Sequence, residues 1–174
     1  MSPRAALIWG CVVAALVPAP ALAVLGYTDP PNSGWAEFRW TMSLDLASRR
    51  LNTSDVREAP DASFSGIVIP SRAVETDYRW EDLNVRAVLY FAPQRGLWKV
   101  ELRPRRPSSC AQLEGAVART RDAISQSPEG RSPNVREQMR AFRGSSLAFK
   151  RFSNGDRADC VVEIASNRIL SKGL

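Results

Sequence analysis

The chain has 174 residues, with 24 Lys and Arg against 18 Asp and Glu, a net charge of +6, three cysteines and no histidine. Without imidazole, Ser-His and Cys-His nucleophile pairs, His-based acid–base steps and His-ligated zinc are all closed, because that ring alone titrates unperturbed near neutrality and ligates such metals as a neutral donor. No Cys-x-x-Cys pair, calcium loop or glycine-rich phosphate loop is present, so neither metal nor cofactor is expected.

Residues 1–23, MSPRAALIWGCVVAALVPAPALA, place one early cation, Arg4, before an apolar run over 7–17 and close on Ala21-Leu22-Ala23. That is the pattern of a secretory signal peptide cleaved after Ala23. A retained anchor is the rival reading, weakened by Pro18 and Pro20 and by a short apolar core. No later segment is apolar enough to cross a bilayer, so no transmembrane helix is expected after cleavage. Cleavage removes Arg4 and Cys11, leaving a charge of +5 and two cysteines, Cys110 and Cys160. In an oxidising compartment such a pair in one small domain forms a disulfide. The expected organisation is a signal peptide over 1–23, a flexible, turn-rich leader over 24–36 and a single α+β domain over 37–174.

Within that domain Phe38, Trp40, Met42, Leu44 and Leu46 alternate with polar residues and predict a strand, with a helix through Trp35, Phe38, Met42 and Leu46 as its rival. Residues 49–63 read as a loop or short helical excursion. Three or four antiparallel strands follow: 64–69, stopped by Pro70; an alternation through Val74, Thr76, Tyr78 and Trp80; another through Val85, Ala87, Leu89 and Phe91; and, after APQRG, LWKVELR with Trp98, Val100 and Leu102 on one face. The connections are too short for parallel crossovers.

Residues 108–126 predict the main helix, capped by Ser109 with Gln112 closing a capping box, and with Cys110, Leu113, Val117, Thr120 and Ile124 along its apolar stripe. A second helix is predicted over 133–143, with Ser132 as cap and Val135, Met139 and Phe142 as its apolar edge. Asn154-Gly155 predicts a two-residue hairpin turn. In that register Phe149 lies opposite Cys160 and Leu147 opposite Val162, which puts Cys160 on the buried face with Leu147, Phe149, Val162 and Ile164. A helix cysteine and a hairpin cysteine, both facing inward, are then placed to bridge. The expected fold is α+β: an antiparallel sheet of about five to seven strands, a meander plus C-terminal hairpin, covered on one face by one main helix and a second short one.

The chemistry left is that of arginine and carboxylate. Glu75 with Asp77, or Glu81 with Asp82, could imitate a glycosidase pair, but nothing around them would separate their pKa values, and they read as solvated acids. No catalytic residue is assigned. Arg103, Arg105 and Arg106, stiffened by Pro104 and Pro107, and Arg136, Arg140 and Arg143, repeating by four and three, are candidates to hold an acidic ligand; an ordinary solvated charged surface is the competing reading. Trp35, beside Gly34, is a candidate exposed anchor for a partner. An export signal and no recognition motif argue against nucleic acid. The arginine excess over lysine fits a GC-rich bacterial genome, and the expected location is periplasmic or secreted. The expected role is a non-catalytic binding or accessory protein of the bacterial envelope, whose ligand is an acidic glycan, a lipid head group or an envelope protein. The alternative is a small carboxylate-dependent hydrolase or lyase acting on an envelope polymer.

Overall fold

The computed structural model describes residues 33–80, 83–106, 109–120, 123–126, 130–132, 134–154 and 157–171. The expected signal peptide and most of the expected leader lie outside them. In chain order the elements are β1 (Gly34–Trp35), β2 (Phe38–Arg39), α1 (Leu44–Leu51), β3 (Val56–Ala59), β4 (Ser63–Phe64), β5 (Ile67–Val68), β6 (Ser71–Trp80), β7 (Leu83–Ala92), β8 (Gly96–Pro104), α2 (Cys110–Arg119), β9 (Ser125–Gln126), β10 (Gly130–Ser132), β11 (Val135–Ala141), β12 (Ser145–Asn154), β13 (Arg157–Ser166) and α3 (Asn167–Leu170).

Eight strands form one antiparallel sheet in the order β10-β11-β12-β13-β8-β7-β6-β3, with β9 a ninth strand on β11. β1–β2 and β4–β5 are separate small ladders. The meander β6-β7-β8 forms where its alternation predicts it, and β6 and β7 keep the expected inner face. That face, with Val74, Val85, Leu89, Leu97, Val100, Leu102, Phe149 and Val162, buries its side chains against Ala47 of α1, against Cys110, Leu113, Ala116 and Val117 of α2, and against Trp35, Phe38, Trp40 and Met42. The opposite face carries a smaller cluster in which Phe64 of the β4–β5 ladder and Ile169 of α3 pack on Tyr90, Trp98 and Ala165.

The sheet exceeds the expected size because 133–143 is not helical. Strand β11 occupies it and pairs with β12 over seven residues, from Val135 with Phe152 to Ala141 with Ser146. Its i, i+4 apolar spacing coexists with an alternation of Arg136, Gln138 and Arg140 against Glu137, Met139 and Ala141, and the ladder decides between them. The predicted strand over 38–46 is likewise split. Burial alternates as expected through Phe38, Trp40 and Met42, but Ser43 then accepts a hydrogen bond from the Leu46 N–H (3.3 Å) and starts α1, with Asp45 in its first turn.

Helix α2 is shorter than expected. It stops at Arg119, Thr120 takes an extended ψ of 117°, and Ser125–Gln126 pairs with β11 instead. Ile124 is therefore 69 % exposed and off the core. Ser109 makes no side-chain cap bond, so the expected capping box does not form.

At β8 a register shift against Tyr90 and Phe91 sends Trp98 to the face opposite Val100 and Leu102, where its indole N–H donates to Ser71 Oγ (2.8 Å). Leu97 takes the vacated inner place. The C-terminal hairpin is two residues offset from the expected register: Phe149 pairs with Val162, Leu147 with Ile164, and Arg151 with Cys160. An offset of two preserves which face each residue shares, so Cys160 keeps the expected inner face. Cys110 and Cys160 are disulfide-bonded with Cα atoms 5.8 Å apart.

Candidate functional site

An open groove of about 840 Å³ lies where the 41–45 segment, the β6 start, the β7–β8 turn and α3 meet. Its position follows from one close approach. The Leu97 N–H donates to Met42 O (2.8 Å) and the Thr41 N–H to Leu97 O (3.0 Å), which fastens the segment before α1 onto β8. Gly96 permits this contact: at φ 75°, a Cβ there would lie 2.6 Å from Met42 O and closer still to Thr41 O.

Three guanidinium groups line the groove, Arg72 from β6, Arg95 from the β7–β8 turn and Arg168 from α3. Arg72 is shared with Glu58 in an exposed ion pair (3.5 Å). Arg95 and Arg168 are exposed and make no ion pair among the described residues. Asp45, also in the lining, offers a carboxylate with no ion pair among the described residues, beside Thr41, Ser43 and Gln94. Leu44, Phe91, Ala92, Pro93 and Ile169 form the apolar wall; Phe91, Ala92 and Ile169 are each under 5 % exposed, and Leu44 and Pro93 are its more accessible members.

The arginines singled out from the sequence are not gathered into one site. Arg103 faces away from α2 and pairs with Glu101 (3.5 Å). Arg105 is bonded to Asp77, and that pairing, ahead of the opposing effect of desolvation, holds the carboxyl below its ordinary range and the guanidinium above its own. Arg106 is exposed, beside Arg105 in a second concavity of about 670 Å³ with Tyr78, Arg79 and Asn84. Across the sheet, Arg136 reaches Glu114 of α2 (3.7 Å), as does Arg151 (3.9 Å). Arg140 donates to the α2 terminal carbonyls of Ala118 (3.2 Å) and Thr120 (2.9 Å). These residues dock and cap a helix, favourable for cations at its negative end. Arg143 is exposed at the β11–β12 turn.

Trp35 is not an exposed anchor. It is 3 % exposed, stacked against Phe38 (6.3 Å) and tilted on Tyr78 (4.5 Å), because the β1–β2 ladder folds the end of the expected leader onto the core.

No protein-family model, curated protein or solved structure matches this chain.

A second charged feature lies on the face opposite α1 and α2. Lys99 is 2 % exposed, with Glu101 Oε1 at 2.6 Å, Glu163 Oε1 at 3.0 Å, the Ser63 carbonyl at 2.6 Å and the Tyr90 ring 4.7 Å away. Lys150 continues the chain to Glu163 (2.7 Å) and Glu137 (3.6 Å). Alternating charges thus cross β11, β12, β13 and β8 and reach up to β4. Burial raises the Tyr90 hydroxyl's pKa, with the neighbouring Glu101 charge adding to it. The sequence carries a signal for this band in charges that interrupt apolar strands, Lys99 and Glu101 in LWKVELR and Glu163 in CVVEIA. It carries none for the groove, whose arginines lie 23 and 73 residues apart in the chain.

Proposed function

We propose that this protein is an exported, non-catalytic binding protein of the bacterial envelope that takes an anionic ligand in the groove lined by Arg72, Arg95 and Arg168. The observation that carries this reading is that Arg95 and Arg168, drawn from distant parts of the chain, line one groove and make no ion pair among the described residues. The groove volume of about 840 Å³ falls in the small-molecule range of about 300–1,000 Å³. A guanidinium suits a carboxylate or phosphate through its planar donor fork.

The non-catalytic part is supported by the fate of the candidate acids. Glu75 is engaged by Arg86 (2.7 Å) and Arg57 (3.9 Å), and Asp77 by Arg105. Glu81 and Asp82 lie outside the described residues. The disulfide supports an oxidising compartment, and no helix among the described residues is long and apolar enough to cross a membrane.

The test is affinity capture of anionic components from an envelope extract at low and high salt. Arg95→Ala/Arg168→Ala should retain roughly tenfold less than wild type, in line with the loss of one to two charge-assisted contacts. High salt should reduce capture by wild type. The Arg103→Ala/Arg105→Ala/Arg106→Ala variant should behave as wild type, because those side chains lie elsewhere. Equal capture by all three proteins at both salt levels would end the proposal.

A further inference from the structure

Building on the anion groove proposed above, we infer that its ligand is a short stretch of carboxylated oligosaccharide. The groove holds opposite charges that do not quench one another. Arg95 and Arg168 bring positive charge and Asp45 brings a carboxylate to the same lining, yet Asp45 forms no ion pair with any of the groove's arginines among the described residues. A ligand that is only anionic gains nothing from Asp45 and is repelled by it. A ligand that carries carboxylates and also hydroxyl donors uses both: guanidinium forks for the carboxylates, Asp45 for the hydroxyls.

The remaining lining points the same way. Thr41, Ser43 and Gln94 add neutral donors and acceptors suited to ring hydroxyls. Leu44 and Pro93, beside the nearly buried Phe91, Ala92 and Ile169, give an apolar wall that can meet the C–H face of a sugar. The groove is open to solvent, so it need not enclose the whole of a longer polymer. A uronate-type oligosaccharide satisfies each of these conditions.

The test uses calorimetric titration of the disulfide-intact chain with four probes: oligogalacturonate, its methyl-esterified counterpart of equal length, inorganic phosphate and phosphatidylglycerol vesicles. Oligogalacturonate should bind, and esterification should weaken it at least tenfold. Asp45→Ala should weaken oligogalacturonate about fivefold while leaving phosphate unchanged or tightening it. Circular dichroism of Asp45→Ala checks that α1 persists; if it does not, Gln94→Ala, outside any helix, should show the same selective loss. Tighter oligogalacturonate binding by Asp45→Ala, or vesicles binding while oligogalacturonate does not, overturns the sugar assignment but leaves the anion groove standing. Binding of every probe that is indifferent to Arg95→Ala/Arg168→Ala overturns the anion groove itself, and the sugar assignment with it.

Discussion

Glu101 and Glu163 lie opposite each other in register on β8 and β13, an arrangement that repels unless a cation sits between them. Lys99 supplies that cation. Burial pushes the Glu101 carboxyl upward, but the charge and hydrogen bond of Lys99, with help from Arg103 and the Tyr90 hydroxyl, outweigh it and hold the carboxyl below the usual glutamate range. The folded state therefore binds this proton more weakly than the unfolded chain does. Its stabilisation is complete above the unfolded value of about 4.3 and is lost as pH falls through the lower folded value. Lys99→Met should cost about 3 kcal/mol at neutral pH, measured by urea unfolding, because it removes the cation between two facing buried carboxylates and leaves Glu163 only Lys150 and Glu101 only Arg103. The deficit should shrink as pH falls into the ordinary glutamate range, where protonation of Glu101 relieves the variant's repulsion. A deficit that stays constant with pH would contradict this account. Gly96 gives a second residue-level expectation. Gly96→Ala combines positive φ with collision against the Thr41 and Met42 carbonyls and should cost about 2–4 kcal/mol. Gly66, at φ 83° with open space within 4 Å of where a Cβ would stand, separates the two effects: Gly66→Ala should cost about 1 kcal/mol in the same assay.

Among the elements, α2 shows how a short helix is held on a sheet. Its stripe of Cys110, Leu113, Ala116 and Val117 is buried, Glu114 lies between Arg136 and Arg151, and Arg140 takes its terminal carbonyls. The ion pairs are partly exposed and contribute little, about 1 kcal/mol or less. The disulfide contributes more, closing a separation of 50 residues, worth about 4 kcal/mol as lost freedom of the unfolded chain. Cys110→Ala/Cys160→Ala should lose about that much in urea unfolding, and mass spectrometry of the unreduced native chain should show the linked peptides; quantitative labelling of both thiols without reductant would contradict the link. The inward placement of both cysteines was legible because it depends on parity and on i, i+3 spacing, and the two-residue offset of the hairpin leaves parity intact. The identity of β11 was not legible. Val135, Met139 and Phe142 fit a helix and alternation fits a strand, and what settles the matter is the backbone of β12, seven ladder positions long.

For the molecule as a whole, the decisive pairing is β8 with β13, from Val162 with Leu102 to Ala165 with Lys99. It joins the meander of β6, β7 and β8 to the C-terminal strands β11, β12 and β13 and makes one sheet of two sequence-distant parts. Hydrogen exchange should therefore be slowest in β7, β8 and β13, which are flanked on both sides, and fastest among the sheet strands in the edge strands β3 and β10. Faster exchange in β13 than in β3 would mean that the two parts open independently.

Local pattern was enough for what depends on neighbours in the chain. Alternation along β6 and β7, the absence of imidazole and the inward faces of Cys110 and Cys160 follow from residue type and spacing alone, since side-chain periodicity is fixed by backbone geometry. Strand order and close packing decided the rest. The groove's Arg72, Arg95 and Arg168 converge only because Gly96 lets the segment before α1 lie against β8 while β13 carries α3 to the same end of the sheet. Those contacts link residues far apart in sequence, and no local propensity encodes which distant surfaces will meet.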